Sequence, residues 1–389
     1  MVNYVASFAL VIVAVISPKL YSQGTLLYGL EKTNSPANLQ RRQAPYNFEL
    51  KLADKVRNCE HVHLDEASGY ALLSCNPTRD VWNTVMGIYN NHDKTEGALY
   101  LYDYAGKHPE NDELREIKLM DYPHAGKDFH PLGLGYHAPS NRIFVVNLSK
   151  ERRPRIEVFR LHLSEAAATF IQSIKHVHLP SPNSIYAISE NSFYVTNDHY
   201  FPHRQNALLN QIETFGALPI STVDKVTFSD TTVGIKTMAR LPFPNGIVRL
   251  NDTAFAVAST TSASVRLYHE DKKSGKWTEK ESISVRMLPD NLSVDEEGTL
   301  FIAGHAHTTS ITKYAKTRAE CNTPEGSKTQ KCKDLKSPSM VVSWTRREGV
   351  KEIYTDVKYG AACTAVRDSK AKVGIISSLY DRGLLVWKE

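Results

Sequence analysis

Six times along the chain, a turn rich in Ser, Asn, Asp or Gly gives way to a short apolar run. The runs are 70–75 (YALLSC), 143–147 (IFVVN), 193–197 (FYVTN), 255–259 (FAVAS), 301–305 (FIAGH) and 373–377 (VGIIS). Each follows a stretch of alternating apolar and polar positions, as in 184–188 (SIYAI), 246–250 (GIVRL) and 292–295 (LSVD). A period of two marks a strand whose faces meet different surroundings. Further alternation at 98–102, 155–161 and 264–268, and at Lys313-Tyr314, supplies more strands between these units. Successive runs start 46 to 73 residues apart, enough for a four-stranded sheet each. Six such sheets in one chain predict an all-β fold, a six-bladed β-propeller, which protects its strand edges by closing on itself. Helical signals are scarce, and the only helix expected is at 164–170 (SEAAATF).

The repeat has a consequence for chemistry. Ten residues before the first large apolar residue of each run stand Glu60, Gly133, Asn183, Asn245, Asn291 and Cys363. Equivalent positions in radially repeated sheets fall on one ring about the axis. Four of the six carry oxygen, and Asp290 is the neighbour of Asn291. Glu60, Asn183, Asn245, Asp290 and Asn291 together offer two carboxylates and three amide carbonyls, a hard-oxygen set that matches one Ca²⁺ ion. Calcium takes about six to eight oxygens, so such a ring leaves positions open for a substrate oxygen or a water. An open position is what separates a catalytic ion from a structural one.

Composition narrows the setting. At 389 residues, 41% hydrophobic and 23% charged, the chain is neither a polytopic membrane protein nor disordered. The net charge of +5 is spread along the sequence, and no basic run with interleaved aromatics suggests a nucleic-acid groove. Residues 5–16 (VASFALVIVAVI) are apolar over the length of a secretory core segment and fall short of the ~20 residues of a membrane span. The chain therefore divides into a signal peptide or N-terminal hydrophobic anchor (1–22), a polar linker (23–45) and a single propeller domain (46–389). Five cysteines fit an oxidising compartment. Cys321 and Cys332 flank a polar loop and are expected to pair. Cys59, Cys75 and Cys363 allow one further bridge in three ways and leave one thiol. Asn147, Asn251 and Asn291 head glycosylation sequons, and ligation by Asn291 would silence its own.

From about Glu49 to its end, the sequence resembles the serum paraoxonase/arylesterase family, six-bladed propellers that act as calcium-dependent lactonases and esterases. The likeness is strongest in 179–201 (LPSPNSIYAISENSFYVTNDHYF), 243–247 (FPNGI) and 288–295 (LPDNLSVD). It places the family's catalytic-calcium ligands on Glu60, Asn183, Asn245, Asp290 and Asn291. It also implies a secreted protein whose hydrophobic N-terminus contacts membrane or lipid. Departures accompany it. The family's histidine dyad would fall on Leu132 and Leu148, with His130 and His137 near in sequence. His61 and Ser184 stand where acids would hold a second, structural calcium, so that site is expected to be lost. No cysteine near the C-terminus matches the family's bridge between chain ends.

The function expected is thus a secreted calcium-dependent hydrolase of small apolar lactones or aryl esters. Water would be activated by Glu60, His305 or His199, with the Asn183 amide as a second support for the oxyanion. Two other classes share the fold: a tailoring enzyme that cyclises or rearranges a natural product, and a non-catalytic binding propeller. Trp82 is a candidate for a hydrophobic rim around the channel or, alternatively, for the packed core.

Overall fold

Each of the six apolar runs becomes the second strand of a blade of four antiparallel strands, to which the second blade adds a fifth, Lys118–Met120, paired parallel with its outer edge; both faces of each run are covered by neighbouring blades. The computed structural model describes residues 2–39, 46–90, 95–151 and 153–389, with backbone alone for 2–17. Second strands run Tyr70–Cys75, Arg142–Asn147, Ser192–Asn197, Ala254–Ser259, Leu300–His305 and Val373–Ser378, and all but their ends are buried. Innermost strands are Cys59–Asp65, Pro131–His137, Pro182–Ser189, Pro244–Asn251, Leu288–Val294 and Ala362–Asp368. They define blades 1 to 6, and the six-bladed propeller expected from the repeat is the fold of the chain.

The ring closes by strand exchange between chain ends. Blade 6 takes its outermost strand, Phe48–Lys51, from before blade 1, and that strand pairs antiparallel with Leu384–Lys388. Aromatic packing seals the seam. Trp387, buried, stacks on Tyr46 at 6.2 Å and lies 5.8 Å from Phe48 and 6.3 Å from Phe301 of blade 5. Its ring fits only because residue 374 on the adjacent strand is glycine. A Cβ there would stand 1.9 Å from the indole. Comparable aromatic groups join other blades, including Phe144–Phe193 between blades 2 and 3, and Phe255 stacked on Trp277 at 4.5 Å against Tyr194.

Three readings of the pattern need correction. Residues 164–170 form no helix, since Ala167–Ile174 is a strand of blade 2 and Ala168 belongs to the core between blades. Its alanines are strand residues packed in a tight interface, where propensity yields to burial. Lys313-Tyr314 lies inside a helix, Thr308–Cys321, capped by the His307 side chain. A second helix, Ala207–Phe215, is capped by Asn206. Both lie in connections between strands; Thr308–Cys321 is largely polar, and Ala207–Phe215 is a short amphipathic helix that leaves Leu208, Ile212 and Phe215 exposed.

The N-terminal region is helical over Val2–Thr33, with a short turn of helix at Pro36–Leu39. Residues 23–39, read as linker, are therefore ordered against the propeller, while residues 40–45 lie outside those described. Gln23 donates to the Thr261 carbonyl at 2.7 Å, and the buried Asn34 amide donates to the carbonyls of Arg286 and Ala306. Among the described residues, no helix is long and apolar enough to cross a membrane. Disulfides join Cys321 to Cys332, as expected, and Cys59 to Cys75, while Cys363 is a buried free thiol. Of the three sequons, Asn251 is exposed on a hairpin, whereas Asn147 and Asn291 are wholly buried.

Trp387→Ala should lower the free energy of unfolding by about 3–5 kcal/mol, the usual cost of emptying a large aromatic site. Urea denaturation checks this. A loss below about 1 kcal/mol would mean that the seam is held by strand pairing alone.

Candidate active site at the propeller axis

The residues placed on the ring share a backbone feature that aims them. In blade 1 the pairing of the inner strand with its neighbour skips Glu60, passing from Cys59 to His61. It skips Asn183 in blade 3, Asn245 in blade 4, Asp290 and Asn291 in blade 5, and Cys363 in blade 6. An unpaired residue in a strand bends it and redirects its side chain, which is how bulges re-aim groups at functional sites. The offset of ten residues is the length of strand, hairpin and strand from this irregularity to the next apolar run.

Glu60, Asn183, Asn245, Asp290 and Asn291 are each no more than 5% exposed. Four of their oxygens are buried and accept no hydrogen bond: Glu60 Oε2, Asn183 Oδ1, Asn245 Oδ1 and Asn291 Oδ1. Carboxylates fix the orientation of two of the amides. Asn183 Nδ2 donates to Asp198 Oδ2 at 3.1 Å, and Asn291 Nδ2 donates to Glu60 Oε1 at 2.7 Å. With the NH₂ groups so held, the amide oxygens are left for something else. Burial first, then repulsion from Asp290, pushes the Glu60 carboxyl above its ordinary range. The wholly buried Arg79 and the Asn291 hydrogen bond oppose that shift. Among the described residues, no three His, Cys, Asp or Glu side chains group to hold a metal. The ring is amide-rich, a donor set suited to a hard cation.

The histidines sort themselves by position. His305 Nε2 lies 3.2 Å from Asp290 Oδ2, while its Nδ1 is buried without a partner. His199 is held on both sides, with Nδ1 2.8 Å from Asp198 Oδ1 and Nε2 2.7 Å from Thr214 Oγ1. His130 sits against Thr78 and Asp128, and His137 against Ser140 at the far end of its strand. Neither lines the cavity above the ring. Leu132 and Leu148 are both buried in one apolar cluster, and Leu132 forms part of the cavity wall. Trp82 is core, its indole N–H donating to the Leu148 carbonyl at 2.7 Å.

A cavity of ≈ 250 Å³ opens above the ring, with Glu60, Asn183, Asn245 and Asp290 among its lining residues. His199 and His305 line it as well, so the structure brings together the candidate base residues and four of the five ring residues. The helices, all outside the repeat, enclose it. Leu27 comes from the N-terminal helix, Thr214 and Phe215 from Ala207–Phe215, and Ile311 from Thr308–Cys321. Sequence reasoning passed over these groups, and also Asp198, although the run that contains it had been singled out.

The family model described as Arylesterase matches residues 84–337, which include every ring residue but Glu60 and Cys363. Serum paraoxonase/arylesterase 2 of Homo sapiens is 24% identical over 306 residues, 77% of this chain and 78% of its own. Serum paraoxonase/arylesterase 1 of Rattus norvegicus is 26% identical over 296 residues, 75% of this chain and 77% of its own. In fold, the chain is similar to a gluconolactonase of Xanthomonas campestris, with a TM-score of 0.52 at 12% identity. That likeness covers 91% of this chain and 93% of the other.

Gly246 tests how tightly the axis is packed. A Cβ there would lie 2.5 Å from Leu292 N and 2.7 Å from Asn291 Cα, all backbone of blade 5. Gly246→Ala should destabilise the fold by about 1–3 kcal/mol through overpacking. Gly29→Ala, with open space around the Cβ, should be neutral or stabilising by comparison. Equal unfolding midpoints for the two variants would contradict the close approach.

Proposed function

The chain belongs to the arylesterase family, and we propose that it is a calcium-dependent hydrolase of lactones or aryl esters that works in the secretory pathway or outside the cell. The observation that carries this reading is the set of four buried, partnerless oxygens on the ring. An unpaired buried polar atom costs roughly 1–3 kcal/mol, so four side by side call for a shared partner. Two carboxylates and three amide carbonyls fit Ca²⁺ in kind and in charge. Glu60, Asn183, Asn245, Asp290 and Asn291 would hold it. The His61 and Ser184 positions argue against a second, structural calcium. Both disulfides suit the oxidising compartment that secretion implies.

Bound there, calcium supplies a positive charge beside which a substrate carbonyl is polarised and a developing oxyanion is stabilised. The remaining work falls to the chain. The Asp290 carboxylate next to His305 Nε2 favours the proton on that nitrogen and leaves Nδ1 with a lone pair. We assign Nδ1 to take the proton as water attacks the carbonyl carbon. The C–O bond to the leaving oxygen then breaks, and the proton passes from His305 to that oxygen. His199, with both nitrogens engaged, positions instead: through Asp198 it holds the Asn183 amide in place. Because one amide hydrogen of Asn183 is committed to Asp198, any support of the oxyanion falls to the other. The apolar part of the wall, Leu132 included, offers water no hydrogen-bond partner and suits an apolar substrate body.

Two readouts test the proposal. Calcium at a hundredfold excess over its Kd should stabilise the protein by about 2.7 kcal/mol, seen as a raised Tm. Asn245→Ala and Asp290→Ala should remove that shift together with hydrolysis of lactones and aryl esters. Full hydrolysis by chelator-treated protein, or an unaltered calcium response in both variants, would refute it.

A further inference from the structure

One charge on the cavity wall has no part in the chemistry of its floor. The helix Thr308–Cys321 presents Thr308, Ile311, Thr312 and Lys316 to the cavity, the spacing of a single helix face. Lys316 is exposed at the edge of this face. Its helical neighbour of opposite charge, Glu320 four residues on, is already taken by Lys331 across the disulfide-closed loop. No ion pair holds Lys316 among the described residues. Apart from Glu60 and Asp290 on the floor, no acidic side chain among the described residues lines the cavity.

Other polar groups share the cavity wall with Lys316. His203 also lines the cavity, near enough that the lysine charge adds to burial and to His199 in lowering its affinity for a proton. Its ring is seated over Gly87, and its Nδ1 lies 3.2 Å from the Tyr89 hydroxyl. Two further cavity hydroxyls, Thr261 Oγ1 and Thr308 Oγ1, are buried and have no hydrogen-bond partner. Leu27, Phe215, Phe243 and Ile311 supply apolar wall between the floor and this polar edge. A lysine in such a place lays its methylene stem along apolar surface and keeps its ammonium at the mouth.

We propose that the cavity takes amphipathic substrates whose apolar body carries an anionic group, a carboxylate in the first instance, and that Lys316 is the residue selecting for it. The ester or lactone part rests on the function proposed above, whereas the anion preference stands on the wall alone. A charge-assisted hydrogen bond of this kind corresponds to about a tenfold difference in binding.

The experiment compares two aryl esters with the same leaving group, one neutral and one bearing a distal carboxylate, on the calcium-loaded full chain. The kcat/KM ratio of the carboxylate ester to the neutral one should fall about tenfold in Lys316→Ala, invert in Lys316→Glu and recover in Lys316→Arg. In parallel, calorimetry measures binding of 2-naphthoate and of 2-naphthalenemethanol, which need no turnover. The naphthoate should bind more tightly than the alcohol, and Lys316→Ala should erase that difference. Ratios equal within twofold across all variants, or naphthoate binding indifferent to Lys316, overturn the proposal. If neither ester is hydrolysed, the hydrolase reading fails, and the naphthoate comparison alone decides the anion preference.

Discussion

Oxygen atoms crowded at the axis without protein partners are the constraint to which the rest of the molecule answers. Glu60 and Asp290 repel one another in a place where water cannot screen them. Two of the three amides, Asn183 and Asn291, are oriented by their nitrogens, which donate to carboxylates or backbone and leave the carbonyl oxygens free. A packed core of this size would normally expel such a group or satisfy it internally. Here the fold does neither. It spends four interrupted strand registers on holding the oxygens where they are, and it packs the strands behind them closely enough that Gly246 admits no side chain.

That arrangement depends on ring closure, which ties distant parts of the chain to the site. Glu60 receives hydrogen bonds from Asn291 of blade 5 and from Thr364 and Cys363 of blade 6. Blade 6 in turn is completed by Phe48–Lys51 from the opposite end of the domain. A seam that loosens at Trp387 therefore bears on Glu60 through two strands, so stability of the fold and integrity of the axis are one property. The disulfide Cys59–Cys75 pins the residue next to Glu60 to the second strand of its own blade. Cys363 occupies the equivalent ring position of blade 6, where its thiol donates to the Glu60 carbonyl and offers no hard oxygen.

The blades and the ring could be read in the sequence because both are consequences of repetition. Apolar runs such as 193–197 and 301–305 keep the same distance from Asn183 and Asn291 whatever lies between blades. The roof could not be read in that way. Helices Ala207–Phe215 and Thr308–Cys321 sit in connections that differ from blade to blade, and their capping residues, Asn206 and His307, are single polar side chains without a periodic context. Pairing was equally silent. Nothing in spacing says that Asp198 reaches sideways to Asn183 while His199 reaches upward to Thr214. The 164–170 alanines show the converse error, a local preference for helix overridden by strand pairing and by burial against large apolar side chains of the same cluster.

Leucines at 132 and 148 bear on chemistry as well as on packing. Both lie in the apolar cluster between blades 2 and 3, and Leu132, which lines the cavity, can neither donate nor accept a proton there. On the proposed mechanism, proton transfer falls to Asp290 and His305, which stand on neighbouring strands of blade 5. One blade would then contribute a carboxylate to the ring, the imidazole beside it and, through the helix that follows His305, the wall that ends in Lys316. If the proposed roles hold, such concentration has a physical consequence: small shifts of blade 5 would alter cation binding, proton transfer and substrate selection together. The close approach of Gly246 to the backbone at Asn291 leaves little room for such shifts, and so a residue with no functional group of its own would hold the proposed roles in register.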